Sequence, residues 1–159
     1  LRIAVTTAKL LGFALDLPIA AVPTALVVAE PIQCSTGMIA VILAVKRGRF
    51  WLTELTAAEG AWQVASAGPS DDAAFEPSRY HAVAGDDYLP AVVRERWRAA
   101  GVAIEEAVYE AEHCLAVGRR LLAADVTTSP HVLTPLYARE PEAVELFEAR
   151  RAESKDASN

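Results

Sequence analysis

The chain has 159 residues, 53% of them hydrophobic and 23% charged, and a formal net charge of -6. This length suits one domain, or at most two small lobes, around a sizeable core, and the composition excludes a largely disordered chain. The acidic balance excludes a broad basic nucleic-acid surface.

Only Ala152 to Asn159, small and polar, is expected to be disordered. Cys34 and Cys114 form no metal-like pair, and no signal peptide is in view. They are expected to be unbridged thiols in a reducing, cytoplasmic setting. The longest apolar run, Met38 to Val45, falls well short of the ~20 residues a membrane-spanning helix needs. The chain opens at Leu1 inside a helical pattern, so a true N-terminus further upstream is expected.

Leu1 to Leu17 carries that pattern. At ~100° per residue, Arg2, Lys9 and Asp16 share one stripe roughly 40° wide, and nearly everything else is apolar or small. An ordinary surface helix keeps about half its circumference polar. This one is therefore expected to be covered on two flanks, with its polar stripe to water. Ala4, Ala8, Leu11, Gly12 and Leu15 should pack on the chain's own sheet. Ile3, Thr7, Leu10 and Ala14 should need another cover, from a partner helix or from residues of the same chain upstream of Leu1. Pro18 stops the helix.

Ile19 to Val22 reads as a short strand, and Thr24 as the N-cap of a helix over Ala25 to Ala29. Pro31 to Gly37 is a loop. Met38 to Val45 is the continuous apolar run expected of a central strand covered on both faces. Lys46-Arg47-Gly48-Arg49 is a turn, and Phe50 to Leu55 returns as the second arm of a hairpin. Ala57 to Ser78, rich in Ala, Gly, Ser, Pro and Asp, reads as loop with at most one strand near Trp62 to Val64. His81 to Ala84 is a strand ending at Gly85-Asp86-Asp87. Leu89 to Ala100 is a helix closed by Gly101. Val102 to Ile104 is a strand, and Glu106 to Ala124 a longer helix, broken by Ser129 and Pro130. Leu136 and Tyr137 are extended and dock a last helix, Pro141 to Arg151. Strands alternating with helices define an α/β class, a mixed sheet flanked by helices.

Candidate chemistry is sparse. His81, His113 and His131 are scattered, without the His-x-x-x-His spacing of a metal site. His113 and Cys114 are helix neighbours, which do not face each other, so a structural, buried cysteine is expected. Neither Gly-x-Gly-x-x-Gly nor Gly-x-x-x-x-Gly-Lys-Ser/Thr occurs. Two carboxylates at Gly85-Asp86-Asp87 would repel a phosphate, so Asp86 or Asp87 reads better as a helix N-cap. Lys46, Arg47 and Arg49 form the one compact basic cluster, either a solvated hairpin tip or an anion contact. Arg139 with Glu140 and Glu142 is a helix-start charge pattern.

Two stretches carry a resemblance. Leu133 to Glu145, with Pro135, Tyr137 and Arg139 in a Pro-x-Tyr-x-Arg pattern, resembles the C-terminal signature of the TsaB family. Leu1 to Leu15 and Pro18 to Thr24 resemble that family's interface helix and the strand and turn after it. The resemblance implies an actin/sugar-kinase-like fold of two lobes. Residues 1–30 would be a remnant of the first lobe, 38–151 the second lobe and 152–159 a tail. A full family member would carry further strands and a Ser-Phe-Thr-Gly segment before Leu1. The family strand usually runs Ile-Asp-Ala-Arg-x-Gly-Glu-Val-Tyr; aligned on Gly48, Ala44 stands at the Asp position and Lys46 at the Arg position.

The implied role is that of a non-catalytic subunit in tRNA threonylcarbamoyladenosine synthesis. It would bind and activate a TsaD-type catalytic paralogue, alongside a TsaE-type ATPase, and meet tRNA only indirectly. The interface would be Ile3, Thr7, Leu10 and Ala14, with homodimerisation as the other mode of association. No cofactor is implied on this chain alone, and ATP or ADP would have its place at the interface of the complex. Pro135, Tyr137 and Arg139 read as structural. The rival reading is a small-molecule kinase or acyltransferase of the same superfamily, with its catalytic loop upstream of Leu1. A protease would need a nucleophile or metal set that these residues do not offer.

Overall fold

A computed structural model describes residues 1–33, 37–46, 49–71, 73–137 and 147. The elements run α1 (Arg2–Leu15), α2 (Thr24–Ala29), β1 (Met38–Lys46), β2 (Arg49–Ala58), β3 (Ala61–Asp71), β4 (Ala82–Gly85), α3 (Ala91–Ala99), β5 (Ala103–Glu106) and α4 (Ala111–Ala123). The strands form one mixed sheet in the order β3-β2-β1-β4-β5. The β1–β2 and β2–β3 pairs are antiparallel, and the β1–β4 and β4–β5 pairs parallel.

The apolar run of β1 explains its central place. Successive side chains point to opposite faces of a strand. Ile39 and Val41 enter one core with Ala25, Val28 and Ala29 of α2 and Val117 of α4. Ala40 and Ile42 enter a second core with Phe50, Phe75, Tyr80, Leu89 and Trp97 of α3. Ile39, Val41 and Ile42 are fully buried. At ~1.5–3 kcal/mol each, such burials hold the sheet between its two layers. In the second core Phe75 stacks on Tyr80 at 5.2 Å and tilts against Trp97 at 4.5 Å. The Trp97 ring nitrogen is buried there without a hydrogen-bond partner.

Several expectations need correction. Residues 57–78 are not mainly loop: β3 takes eleven of them. Its Ala, Gly, Ser and Pro composition disfavours a strand in isolation, but β3 is an edge, held by the backbone of β2. Pro69 is tolerated there, opposite Trp51. The register shifts between Glu54 and Leu55, leaving Ala65 as the extra residue of a bulge.

Ile19 to Val22 forms no strand; with no sheet neighbour, it stays irregular. Thr24 is the first residue of α2 rather than its cap, and Pro23 takes the cap position. Glu106 belongs to β5, paired with Gly85, so α4 starts only at Ala111. It ends at Ala123, well before Ser129 and Pro130, where Ala124 caps it and Asp125 turns with φ 59°. Neither Asp86 nor Asp87 caps a helix: α3 begins after Pro90, and the Asp86 carboxylate accepts from the Tyr88 amide. Gly101 does close α3 with φ +81°, a conformation glycine adopts without steric cost. Cys114 is a free, exposed thiol rather than a buried one. Cys34 and all but Phe147 of the expected last helix lie outside the described residues.

Candidate functional site

The first helix is less covered by the chain than its sequence pattern suggests. Only Gly12 of α1 is buried. Arg2 and Asp16 of the polar stripe are exposed as expected, and Lys9 is half-buried, but the stripe is also tied to the chain at two points. Lys9 Nζ donates to the Leu133 carbonyl at 3.1 Å, and Arg2 Nε donates to the Tyr137 hydroxyl at 2.7 Å. The Arg2 guanidinium also lies over the Tyr137 ring, 5.4 Å from its centre. The bond to Tyr137 raises the Arg2 pKa above its ordinary value. Phe13, on the same side, meets the His131 ring edge-on at 4.7 Å.

The helix ends where the chain must turn back. Asp16 takes the left-handed conformation at φ 51°, and Leu17 N donates to the Gly12 carbonyl at 3.1 Å. Aspartate is among the few non-glycine residues that tolerate this region. A Cβ on residue 12 would lie 2.5 Å from Ile19 Cδ1, so glycine lets the returning chain close on the helix.

The expected second flank is open. Ile3 is 83% exposed and Leu10 65%, with Thr7 and Ala14 exposed beside them. The flank expected to pack on the sheet is open as well: Leu11 is 52% and Leu15 60% exposed, and Ala4 is exposed. That assignment is corrected. The face turned to the protein runs through Val5, Ala8, Lys9 and Gly12, and the exposed apolar residues Ile3, Ala4, Leu10, Leu11, Ala14 and Leu15 lie on one outward arc about 140° wide. Contiguous apolar surface of this kind marks an interaction site more often than a solvated face.

The remaining candidates are placed as follows. Lys46 pairs in register with Arg49 at the hairpin end, and Arg49 is exposed. Arg47 lies outside the described residues. The Asp86-Asp87 turn follows the end of β4, which runs parallel to β1, so it stands toward the same end of the sheet as the Lys46–Arg49 hairpin. Tyr109 lies near it, its hydroxyl pKa raised by burial and then by the charges of Asp86 and Asp87. Pro135 is half-buried and Tyr137 reaches α1, while Arg139 lies outside the described residues. Among the described residues Tyr137 meets Arg2, and Leu136 is exposed; the last helix that Leu136 and Tyr137 are expected to dock lies, Phe147 apart, outside the described residues.

Two polar ties, one on the sheet and one between the end of α2 and α4, follow from no local sequence pattern. The Glu54 carboxylate accepts from the Ser66 hydroxyl at 2.6 Å and the Tyr80 hydroxyl at 2.7 Å, with Arg79 at 3.4 Å. Glu30 and Arg120 form a bidentate ion pair beside an open cleft of about 230 Å³. Both carboxylates are committed to these partners, and both are held below their ordinary pKa by the hydrogen bonds they accept. Neither is poised as a proton acceptor. Among the described residues, no group of three or more His, Cys, Asp or Glu could hold a metal ion. No helix among them is long and apolar enough to cross a membrane.

Several solved structures share the fold, among them two from Pseudomonas aeruginosa. One, described as an uncharacterized protein with similarity to peptidase YeaZ from Pseudomonas aeruginosa, superposes with a TM-score of 0.62 at 17% identity. It matches over 87% of this chain and 67% of that one. The other, YeaZ from Pseudomonas aeruginosa, gives 0.62 at 16% identity over 86% and 67%. At this identity the likeness is one of fold. No protein-family model matches the sequence, and no curated protein does.

Proposed function

We propose that this chain is a TsaB-type binding subunit that uses α1 to hold and activate a TsaD-type catalytic paralogue in tRNA threonylcarbamoyladenosine synthesis. The observation that carries this reading is the outward apolar arc of α1, with Ile3 and Leu10 at its most exposed edge. A helix that ties Arg2 and Lys9 to its own chain and leaves its leucines outward suits a partner's apolar surface. The YeaZ-like fold supports the family, and the Pro135-x-Tyr137-x-Arg139 pattern supports it independently. Chemistry on this reading belongs to the partner, and tRNA is met through the assembly. The word peptidase attaches to the similar structure, and the committed Glu30 and Glu54 carboxylates give it no support in this chain.

Co-purification of the complete natural protein with its TsaD-type paralogue tests the proposal. A stable complex with the wild type that is lost in Leu10→Asp is the expected result. A complex indifferent to Leu10→Asp, or no complex with wild-type protein, overturns it.

A further inference from the structure

We propose that residues 128–137 form a strap that sets the pose of α1 by binding its polar stripe. Four contacts define it, and their order is the argument. Tyr137 meets Arg2, Leu133 meets Lys9, His131 meets Phe13, and the Thr128 amide donates to the Ile19 carbonyl at 2.7 Å. Each step up the helix is a step back along the later segment, so the two run antiparallel from Arg2 to Ile19. Arg2, Lys9 and Phe13 lie within about 40° of one another on the helix, one line of attachment along its length.

The rest of the helix gives the strap its importance. Gly12 is the one buried residue of α1, and the leucines point away. The sheet's two cores contain no residue of α1. Apolar packing therefore does little to orient the helix, and polar attachment along one line does more. Lys9 and Tyr137 act as positioning residues: their bonds join α1 to the strap, and they fix which side of α1 a partner would meet. Tyr137 thereby gains a specific task within its Pro-x-Tyr-x-Arg pattern. That the presented arc serves a partner rests on the function proposed above; the strap does not.

Hydrogen exchange on the full chain tests the strap without any partner. Lys9→Met keeps the aliphatic stem and removes the donor, and Tyr137→Phe keeps the ring and removes the hydroxyl. In the double variant, the α1 amides after the first turn should exchange about tenfold faster or more, the loss expected from two hydrogen bonds. Amides of Ile39 to Ile42 and Ala82 to Gly85 should keep their protection. Lys9→Arg, which retains a donor, should restore most of the α1 protection on the Tyr137→Phe background. Unchanged α1 exchange in the double variant overturns the strap. So does equal loss of protection across β1 and β4, because the segment would then be part of the cooperative body. A wild-type protein that binds no TsaD-type partner overturns the functional reading alone, since exchange decides the strap by itself.

Discussion

In β1, Ile39 and Val41 face one core and Ala40 and Ile42 the other, and none of the four meets solvent. In α1, Ile3, Leu10, Leu11 and Leu15 all meet solvent, and the charged Arg2 and Lys9 are the residues tied to the protein. The sheet body orders itself by removing apolar surface from water, a strong and non-directional force. The first helix is attached through directional bonds at its surface, each worth about 1 kcal/mol net. Substitutions in the two regions should therefore differ in kind: in the body they change stability, and in the helix they change association or local opening.

The largest expected effect is in the body. Trp97→Ala empties a fully buried indole and should cost about 3–5 kcal/mol in denaturant unfolding. Trp97→Phe should cost clearly less, because the ring nitrogen it removes has no partner. Equal costs would mean that a phenyl ring cannot refill the space beside Phe75. Next comes Leu10→Asp, expected to weaken a TsaD-type complex more than about a hundredfold, or ~3 kcal/mol, by placing an unpaired charge in the interface. The same variant should unfold within about 0.5 kcal/mol of wild type. A large stability loss would make Leu10 core and end the contrast between the regions.

The Glu54 tie sharpens the comparison through pH. Its carboxyl is held below its ordinary 4.5, first by the Ser66 hydroxyl and then by Tyr80. Its contribution is fully present above the unfolded value and is lost as pH falls through the lower folded one. Tyr80 is pushed up to about 12 from 10.0, first by burial and then by Glu54. Its contribution is present below the unfolded value and disappears as pH rises through the folded one. Melting temperatures across pH should show both limbs in wild type. Glu54→Gln should flatten the acid limb and shrink the alkaline one; an unchanged profile would show that the tie is not formed in solution. The smallest effect is expected for Arg120→Met, at most about 1 kcal/mol by denaturant unfolding, because the Arg120 side chain is about half exposed and water can take its place beside Glu30.

How much of this was legible depended on whether local pattern and tertiary environment agreed. They agree in β1, where an unbroken apolar run can only be satisfied by cover on both faces. They agree at Gly101, where the end of α3 needs a positive φ. They disagree in β3, whose small residues and Pro69 read as loop until β2 supplies the hydrogen bonds. The exposed Ile3 and Leu10 followed from counting polar residues around α1. The destination of the polar stripe did not, because Arg2 and Tyr137 stand 135 positions apart and nothing local links them. The Glu54 tie joins three segments in the same way, so no spacing rule reveals it.

The pairing of β1 with both β2 and β4 also sets an order of assembly. Lys46 and Arg49 are almost adjacent in the chain, so the antiparallel half can zip from a nearby end, an event of about 1–10 μs for an isolated hairpin. The parallel half must bring Ala82 to Ile39 across the whole of β2 and β3, at the cost of closing a much longer loop. Long-range parallel pairing is slow for that reason. The rate-limiting step should therefore be the docking of β4, and Val83→Ala should slow refolding while Trp62→Phe, on the β3 edge, mainly speeds unfolding. Until that docking occurs, the side of β1 that will receive β4 is a bare edge, the point at which a nascent chain is most open to pairing with the wrong neighbour.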